Sequence, residues 1–379
     1  MLDLALKMLF GDRAKYVMLV SGLTFASLLM TEQAAIFCGI MQWSGSTLDN
    51  VGAPIWVVDP MVEQVNDTEA MRDTDLSRVR SVEGVAWASP FYQGMLRTRM
   101  RDGSFKFVQL IGIDSATFTG APKEISQGKL DDLRLPNTVL LDEYGAEKLS
   151  RVPNQPITIG ETFEINDKEA RVVGICKTRM SFTGNPYLYT TYDQAVQYAP
   201  STRKMLSCVL AAPNAGEDAA IVARRITAAT GLKAYTRTEF FWITVWWYIK
   251  NTGIPVAFGT TVLIGFVVGL AVSSQTFYSF VLENLRNLGA LKAMGASDSV
   301  LSRMIMLQTL VVGVTGYGCG VGLTTLFGWA CIKKGMPPFY LPWQLPLVTF
   351  GAILFICWLA ASLGIRKIRG LEPAIVFRG

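Results

Sequence analysis

Four stretches of the chain stay apolar for long enough to cross the hydrocarbon core of a bilayer, which takes roughly 20 helical residues. They cover residues 16–41, 254–273, 304–330 and 345–364, and only the first is broken by an ionisable group, Glu32, beside Gln33. The pattern predicts four transmembrane helices. The first is too long for a cleaved secretory signal, and no small-residue cleavage site precedes Gln42-Trp43-Ser44, so it is expected to persist with a cytoplasmic N-terminus.

Residues 42–238 switch to short apolar runs separated by turn residues and predict a folded polar domain. A strand at 55–59, a helix at 76–82 and a strand at 85–89 are followed much later by the same order at 206–210, 218–230 and 232–235. Two β-α-β halves in one α+β layer are expected, with an insert at about 101–203 carrying strands at 105–113, 139–141, 157–165 and 170–175. The rest divides into a stalk and second span (239–274), a cytoplasmic segment (275–303), a third span (304–331), a short outer loop (332–344), and a fourth span with a tail (345–379). The fold class is therefore a four-helix membrane protein with a large α+β domain between helices 1 and 2. Just before the second span stand Phe240, Phe241, Trp242, Trp246, Trp247 and Tyr248. They read as an aromatic belt at the membrane interface, or as a stalk helix forming one rod with the span over 239–274, with Gly253 and Pro255 marking a kink or hinge.

Composition removes several functions. The chain has no histidine, so a Ser-His-Asp triad, an HExxH zinc site and an imidazole proton shuttle are all excluded. No phosphate-binding G-x-x-x-x-G-K-[ST] loop occurs. A net charge of +5 is too small to suggest nucleic acid. Its distribution is informative, because residues 42–250 are nearly neutral, with 23 basic and 24 acidic side chains. Placing the short loops with both termini inside puts Lys7, Arg13, Lys15, Arg286, Lys292, Arg303, Arg366, Lys367, Arg369 and Arg378 in the cytoplasm, against Lys333 and Lys334 outside. That ratio follows the positive-inside rule.

Residues 280–297 read FVLENLRNLGALKAMGAS. Val281, Leu285, Leu288 and Leu291 make an apolar stripe, Glu283 and Arg286 form an i,i+3 pair on another face, Gly295 stops the helix and Ser297 can cap the next. A short amphipathic helix between two spans is predicted, of a kind that also lies on membrane surfaces. Its spelling resembles the signature of the FtsX/MacB superfamily of ABC-transporter permeases, E-x-x-R-E-I-G-x-L-K-A-x-G-A-S, matched by Glu283, Arg286, Leu288-Gly289, Leu291-Lys292-Ala293 and Gly295-Ala296-Ser297. Asn287 departs from it, standing where the family has an acid. The closing 371–379 segment, LEPAIVFRG, is similar to the family's L-x-P-A-x-x-x-R ending, and the stretches 21–30, 251–259 and 275–286 look closest to DevC-type exporter permeases.

The resemblance implies a MacB-like periplasmic core domain and a non-catalytic subunit of the bacterial inner membrane, with no cofactor of its own. ATP and Mg would be bound by a separate ABC ATPase subunit, whereas MacB carries its ATPase fused. A second permease copy would complete a homodimer, and a periplasmic adaptor and TolC-like outer-membrane channel would complete the export path. Transport would proceed by mechanotransmission, in which ATP-driven closure moves the outer domains. ATPase coupling would rest on Glu283, Arg286, Gly289, Lys292 and Gly295. Competing readings are an FtsX-like regulatory permease acting on a periplasmic partner and Lol-type lipoprotein extraction; a membrane-anchored enzyme is least favoured.

Three further features are ambiguous in the sequence. Glu32 and Gln33 lie about 24 Å along the helix from Tyr16, either as a functional site inside the span or already beyond the hydrocarbon. Gly316, Gly318, Gly320 and Gly322 give small-xxx-small pairs suited to packing within one subunit or to a dimer interface. Cys176 and Cys208 could bridge in an oxidising compartment, while Cys38, Cys319, Cys331 and Cys357 read as small hydrophobes in the spans.

Overall fold

A computed structural model describes residues 2–150, 156–200, 206–335 and 337–369. In chain order the helices α1 (Leu2–Gly11), α2 (Arg13–Ser44) and α3 (Ser46–Val51) lead to β1 (Ile55–Val58), α4 (Asp73–Arg80), β2 (Val85–Arg99), β3 (Phe105–Ile113) and β4 (Glu124–Gly128). A 3₁₀ turn, Leu130–Arg134, precedes β5 (Thr138–Asp142), α5 (Glu143–Lys148), β6 (Thr162–Ile165), β7 (Lys168–Lys177), β8 (Tyr187–Thr191) and α6 (Tyr192–Tyr198). Then come β9 (Cys208–Pro213), α7 (Ala219–Thr230), β10 (Lys233–Thr236), α8 (Arg237–Asn251), α9 (Ile254–Glu283), α10 (Leu285–Ala293), α11 (Asp298–Lys334) and α12 (Gln344–Arg369). Two compact units result, Met1–Gly39 with Gly253–Gly379, and Ile40–Thr252.

In the Ile40–Thr252 unit the two predicted β-α-β halves interlock. The strand order β10-β1-β9-β2 is antiparallel throughout, so each half contributes alternate strands. Helices α4 and α7 bury Val79, Val222, Ala223 and Ile226 in one core with Ile55, Val57, Val209 and Ala211. The next residues along the same strands, Trp56, Val58, Cys208 and Leu210, enter a different core with Phe91 and Phe240. That division follows from the two-residue period of a strand. Asp218 caps α7 by accepting from Ala220 N at 2.9 Å, and Gly231 ends it at φ +73°.

The insert closes into a ring. Strand β2 runs on past the first sheet, and β3, β8, β5, β7 and β6 return to it, the last contact pairing Thr98 with Ile165. Closure gives each strand of the ring two neighbours and leaves β4, which pairs with β7 alone, as the edge on that side. Alternate positions again serve two cores: Val108, Leu110, Val139, Leu141 and Leu188 in one, and Ile111, Ile113, Leu140, Tyr187 and Tyr189 in the other. The sequence reading found four strands of this insert and missed β4 and β8. Asp142 ends β5 and caps α5, its Oδ1 accepting from Gly145 N at 2.9 Å and its Oδ2 lying 3.5 Å from the donor Thr178 Oγ1. It is 2% exposed, and burial raises its carboxyl to about 7. Cys176 and Cys208 are free and buried, and burial pushes both thiols above their ordinary value.

In the other unit α2, α9, α11 and α12 are long and apolar enough to span a membrane. Leu19, Leu23, Ala26 and Met30 of α2 share a core with Phe277 and Phe280 of α9, Val312 of α11, and Ile353 and Ile356 of α12. Leu263, Val267, Leu326, Trp329, Leu347 and Val348 face outward, as side chains in lipid do. All four helices exceed the apolar runs seen in the sequence, because polar ends continue a helix that lipid no longer requires. Helix α1 was not foreseen.

The single rod over 239–274 is corrected. Helix α8 stops at Asn251, Thr252 is extended at φ −124° and ψ 157°, and α9 begins at Ile254 after Gly253. Proline explains where α9 restarts, since Pro255 has no N–H to place and fits the unpaired first turn. The closing 371–379 segment lies outside the described residues.

Candidate functional site

Helix α10 is built from both its ends inward. Asn284 breaks the helical path after Glu283, its Nδ2 donating to Phe280 O at 2.9 Å. At the far end Gly295 takes φ +97°, a left-handed conformation that L side chains resist, and this turn delivers Ser297 as the N-cap position of α11. The Ser297 hydroxyl lies 2.9 Å from Ser299 Oγ and makes no cap hydrogen bond to the backbone.

The buried face of α10 carries Leu288 and Gly289, with Leu291 partly buried. Leu288 joins Ala5 of α1, Val281 of α9, Leu301, Met304 and Ile305 of α11, and Ala361 and Ile365 of α12 in one cluster. Gln308 Nε2 donates to Ala5 O at 2.7 Å, which ties α1 to α11 beneath the same cluster. The helix therefore lies on protein across its apolar stripe.

The predicted Glu283–Arg286 pair does not form, because the break at Asn284 puts the two residues on different helices. Glu283 pairs instead with Lys15 at the start of α2, and Lys15 also holds Asp12 at 2.6 Å. Lys292 spans the Gly295 turn to Asp298 of α11 at 2.9 Å. Among the described residues Arg286 has no hydrogen bond or ion pair. It is exposed together with Asn287, Ala290, Ala293 and Met294, and the Met294 side chain is 76% exposed. This outward strip offers one uncommitted cation beside an apolar knob, a combination suited to docking a protein surface. Met294 was missed because it lies at the variable position of the motif; its place one residue before the glycine turn was the available signal.

The polar pair in span one stands apart from this site. Glu32 and Gln33 are both partly buried, and Glu32 has no partner among the described residues. The neighbouring buried Thr31 is satisfied, donating to Ser27 O at 2.7 Å and to Thr349 Oγ1 at 3.3 Å. The glycines of α11 separate into two faces. A Cβ on Gly316 would sit 2.7 Å from Leu23 Cβ, and one on Gly320 would sit 2.6 Å from Ser27 Cβ, so these two admit α2 at close range. Gly318 and Gly322 face open space.

Residues 34–229 match the MacB-like periplasmic core domain family, and residues 258–373 match the FtsX-like permease C-terminal family. An ABC transporter permease of Mycobacterium tuberculosis strain H37Rv is 23% identical over 368 residues, covering 95% of this chain and 93% of its own. A second, from strain CDC 1551, is 23% identical over 345 residues, covering 88% and 86%. Among solved structures, the periplasmic region of MacB from Actinobacillus actinomycetemcomitans aligns with a TM-score of 0.37 at 17% identity, over 54% of this chain and 98% of that one. The extracellular domain of the noncanonic ABC-type transporter YknZ aligns with a TM-score of 0.35 at 14% identity, over 48% and 98%.

Proposed function

Because the chain belongs to the FtsX/MacB-type ABC-transporter permeases, we propose that it is a non-catalytic exporter subunit that turns the closure of a separate ATPase into movement of its outer domain. The observation that carries this reading is α10, whose outward strip is free while Lys292 of the same helix pairs with Asp298 of α11 and Glu283, the last residue of α9 just before it, pairs with Lys15 of α2. A push on Arg286 and Met294 then moves α10 against the neighbours that Leu288 packs on, Val281 of α9 and Leu301 and Ile305 of α11. The distribution of short-loop charge supports a bacterial inner-membrane location with both termini in the cytoplasm. Among the described residues the spans are apolar and poor in charged side chains, which favours mechanotransmission over passage between helices, with export completed by a periplasmic adaptor and a TolC-like duct. The open faces of Gly318 and Gly322 suit contact with a second permease copy.

Arg286→Glu tests the reading in the complex co-purified from native membranes. The expected result is a chain that inserts normally but no longer stimulates ATP hydrolysis by its partner; unchanged stimulation refutes the role of α10. Glu32, a polar group on the helix that leads into the outer domain, is assigned to transmission. Glu32→Ala should lower export and leave assembly with the ATPase intact, and full export by this variant would remove the assignment.

A further inference from the structure

One cleft in the Ile40–Thr252 unit takes no part in coupling. It has a volume of about 990 Å³ and is lined by Tyr235, Trp242, Ile243 and Trp246, together with Arg224 and Lys250. Helix α8 turns Phe240, Thr244, Val245 and Tyr248 into the domain. Trp242 and Trp246, one turn apart on the opposite face, remain 54% and 56% exposed. Two large rings left open along one stripe form an apolar patch of the kind that marks an interaction surface.

The charges around the patch are not balanced in availability. Both acids are engaged within the domain: Glu63 Oε2 accepts from Trp247 Nε1 at 2.6 Å, and Glu239 Oε2 accepts from Thr236 N and Oγ1, each at 2.8 Å. Arg224 uses only Nε, at 3.3 Å from Ala220 O, and among the described residues neither its terminal nitrogens nor Lys250 Nζ has a partner. The lining thus holds two carboxylates that are hydrogen-bonded to neutral donors of the domain and two cations whose charged ends have no partner among the described residues. It is these cations, beside aromatic faces, that an anionic group joined to an apolar chain can meet.

Chain connectivity selects the source of that ligand. Lys250 stands four residues before Ile254, the first residue of the apolar helix α9, and so within roughly 14 Å of it even at full extension. A bilayer spanned by α9 is always within reach of this end of α8, and tryptophan settles where acyl chains meet headgroups. We infer that the cleft binds an anionic phospholipid from the leaflet at which α9 begins, the phosphate meeting Arg224 and Lys250 and the upper acyl chain lying on Trp242 and Trp246. The inference rests on α9 crossing the membrane and is independent of any role of α10.

The test uses the full chain in nanodiscs of phosphatidylcholine and phosphatidylglycerol at one fixed ratio. Bromine-labelled acyl chains are placed on the phosphatidylglycerol in one preparation and on the phosphatidylcholine in the other. The difference in emission between the native chain and Trp242→Phe/Trp246→Phe reports the two rings alone. Labelled phosphatidylglycerol is expected to quench that signal more strongly than labelled phosphatidylcholine, and Arg224→Ala/Lys250→Ala is expected to abolish the preference. Absence of quenching by either lipid, the result for a cleft that holds a soluble amphiphile or a second copy, overturns the inference. Equal quenching by both lipids also overturns it. Should the double tryptophan variant fail to fold, Trp242→Phe and Trp246→Phe taken singly give the same comparison.

Discussion

Helices α8 and α10 border the two ends of the same span, α9, and are held by opposite means. Helix α8 begins in a capping box, with Thr236 Oγ1 accepting from Glu239 N, and anchors itself by burying Phe240 against Trp56 and Tyr235. Helix α10 has no side-chain cap. Its apolar face is modest, and its register depends on a glycine turn and on ion pairs at or beside its two ends. A helix locked by aromatic packing moves only with its domain. One held by turn geometry and surface ion pairs can shift at small cost, since exposed pairs contribute only about 0–1 kcal/mol.

Substitutions can break this contrast. The largest effect is expected for Phe240→Ala, which empties a fully buried aromatic site and should destabilise the Ile40–Thr252 unit by about 3–5 kcal/mol, read as a lowered denaturation midpoint of the purified chain. Gly295→Ala should follow. Its new methyl meets open space, so the cost is that of a left-handed alanine, about 1–2 kcal/mol; thermal unfolding and loss of partner stimulation should change together. Thr236→Ala, which removes the α8 cap, should cost about 1 kcal/mol and leave stimulation untouched. If Thr236→Ala impaired coupling as much as Gly295→Ala, the distinction between the two helices would fail.

What the sequence disclosed depended on the range of the interaction. The spans were legible because an uncharged run such as 345–364 is a local property, and the β-α-β halves because strand, helix and strand follow each other within a few turns. The ring closure was not legible, since Thr98 of β2 meets Ile165 of β6 only after three other strands, β3, β4 and β5, have been laid down. Strand β8 escaped notice because its spelling, YLYTT, shows neither an apolar–polar alternation nor an uninterrupted aliphatic run like Val139-Leu140-Leu141 of β5. At the coupling site the motif located α10 and its glycine turn. The partners of Glu283 and Lys292 were hidden, because local spacing favoured Arg286 while the fold supplied Lys15 and Asp298. Gly316 and Gly318 have the same spelling and opposite surroundings, and only the position of α2 separates them.

The buried carboxyl of Asp142 links folding to protons. Unfolded, the group titrates near 3.8; folded, near 7. Across that interval the folded domain holds a proton that the unfolded chain releases, so its stability falls as pH rises from about 4 to about 7. Above that window the carboxylate is charged inside the fold and the loss is complete. Through this one group a domain facing the medium outside the membrane would stand firmer in mild acid than at neutrality, with the cap of α5 as the place where the medium is felt.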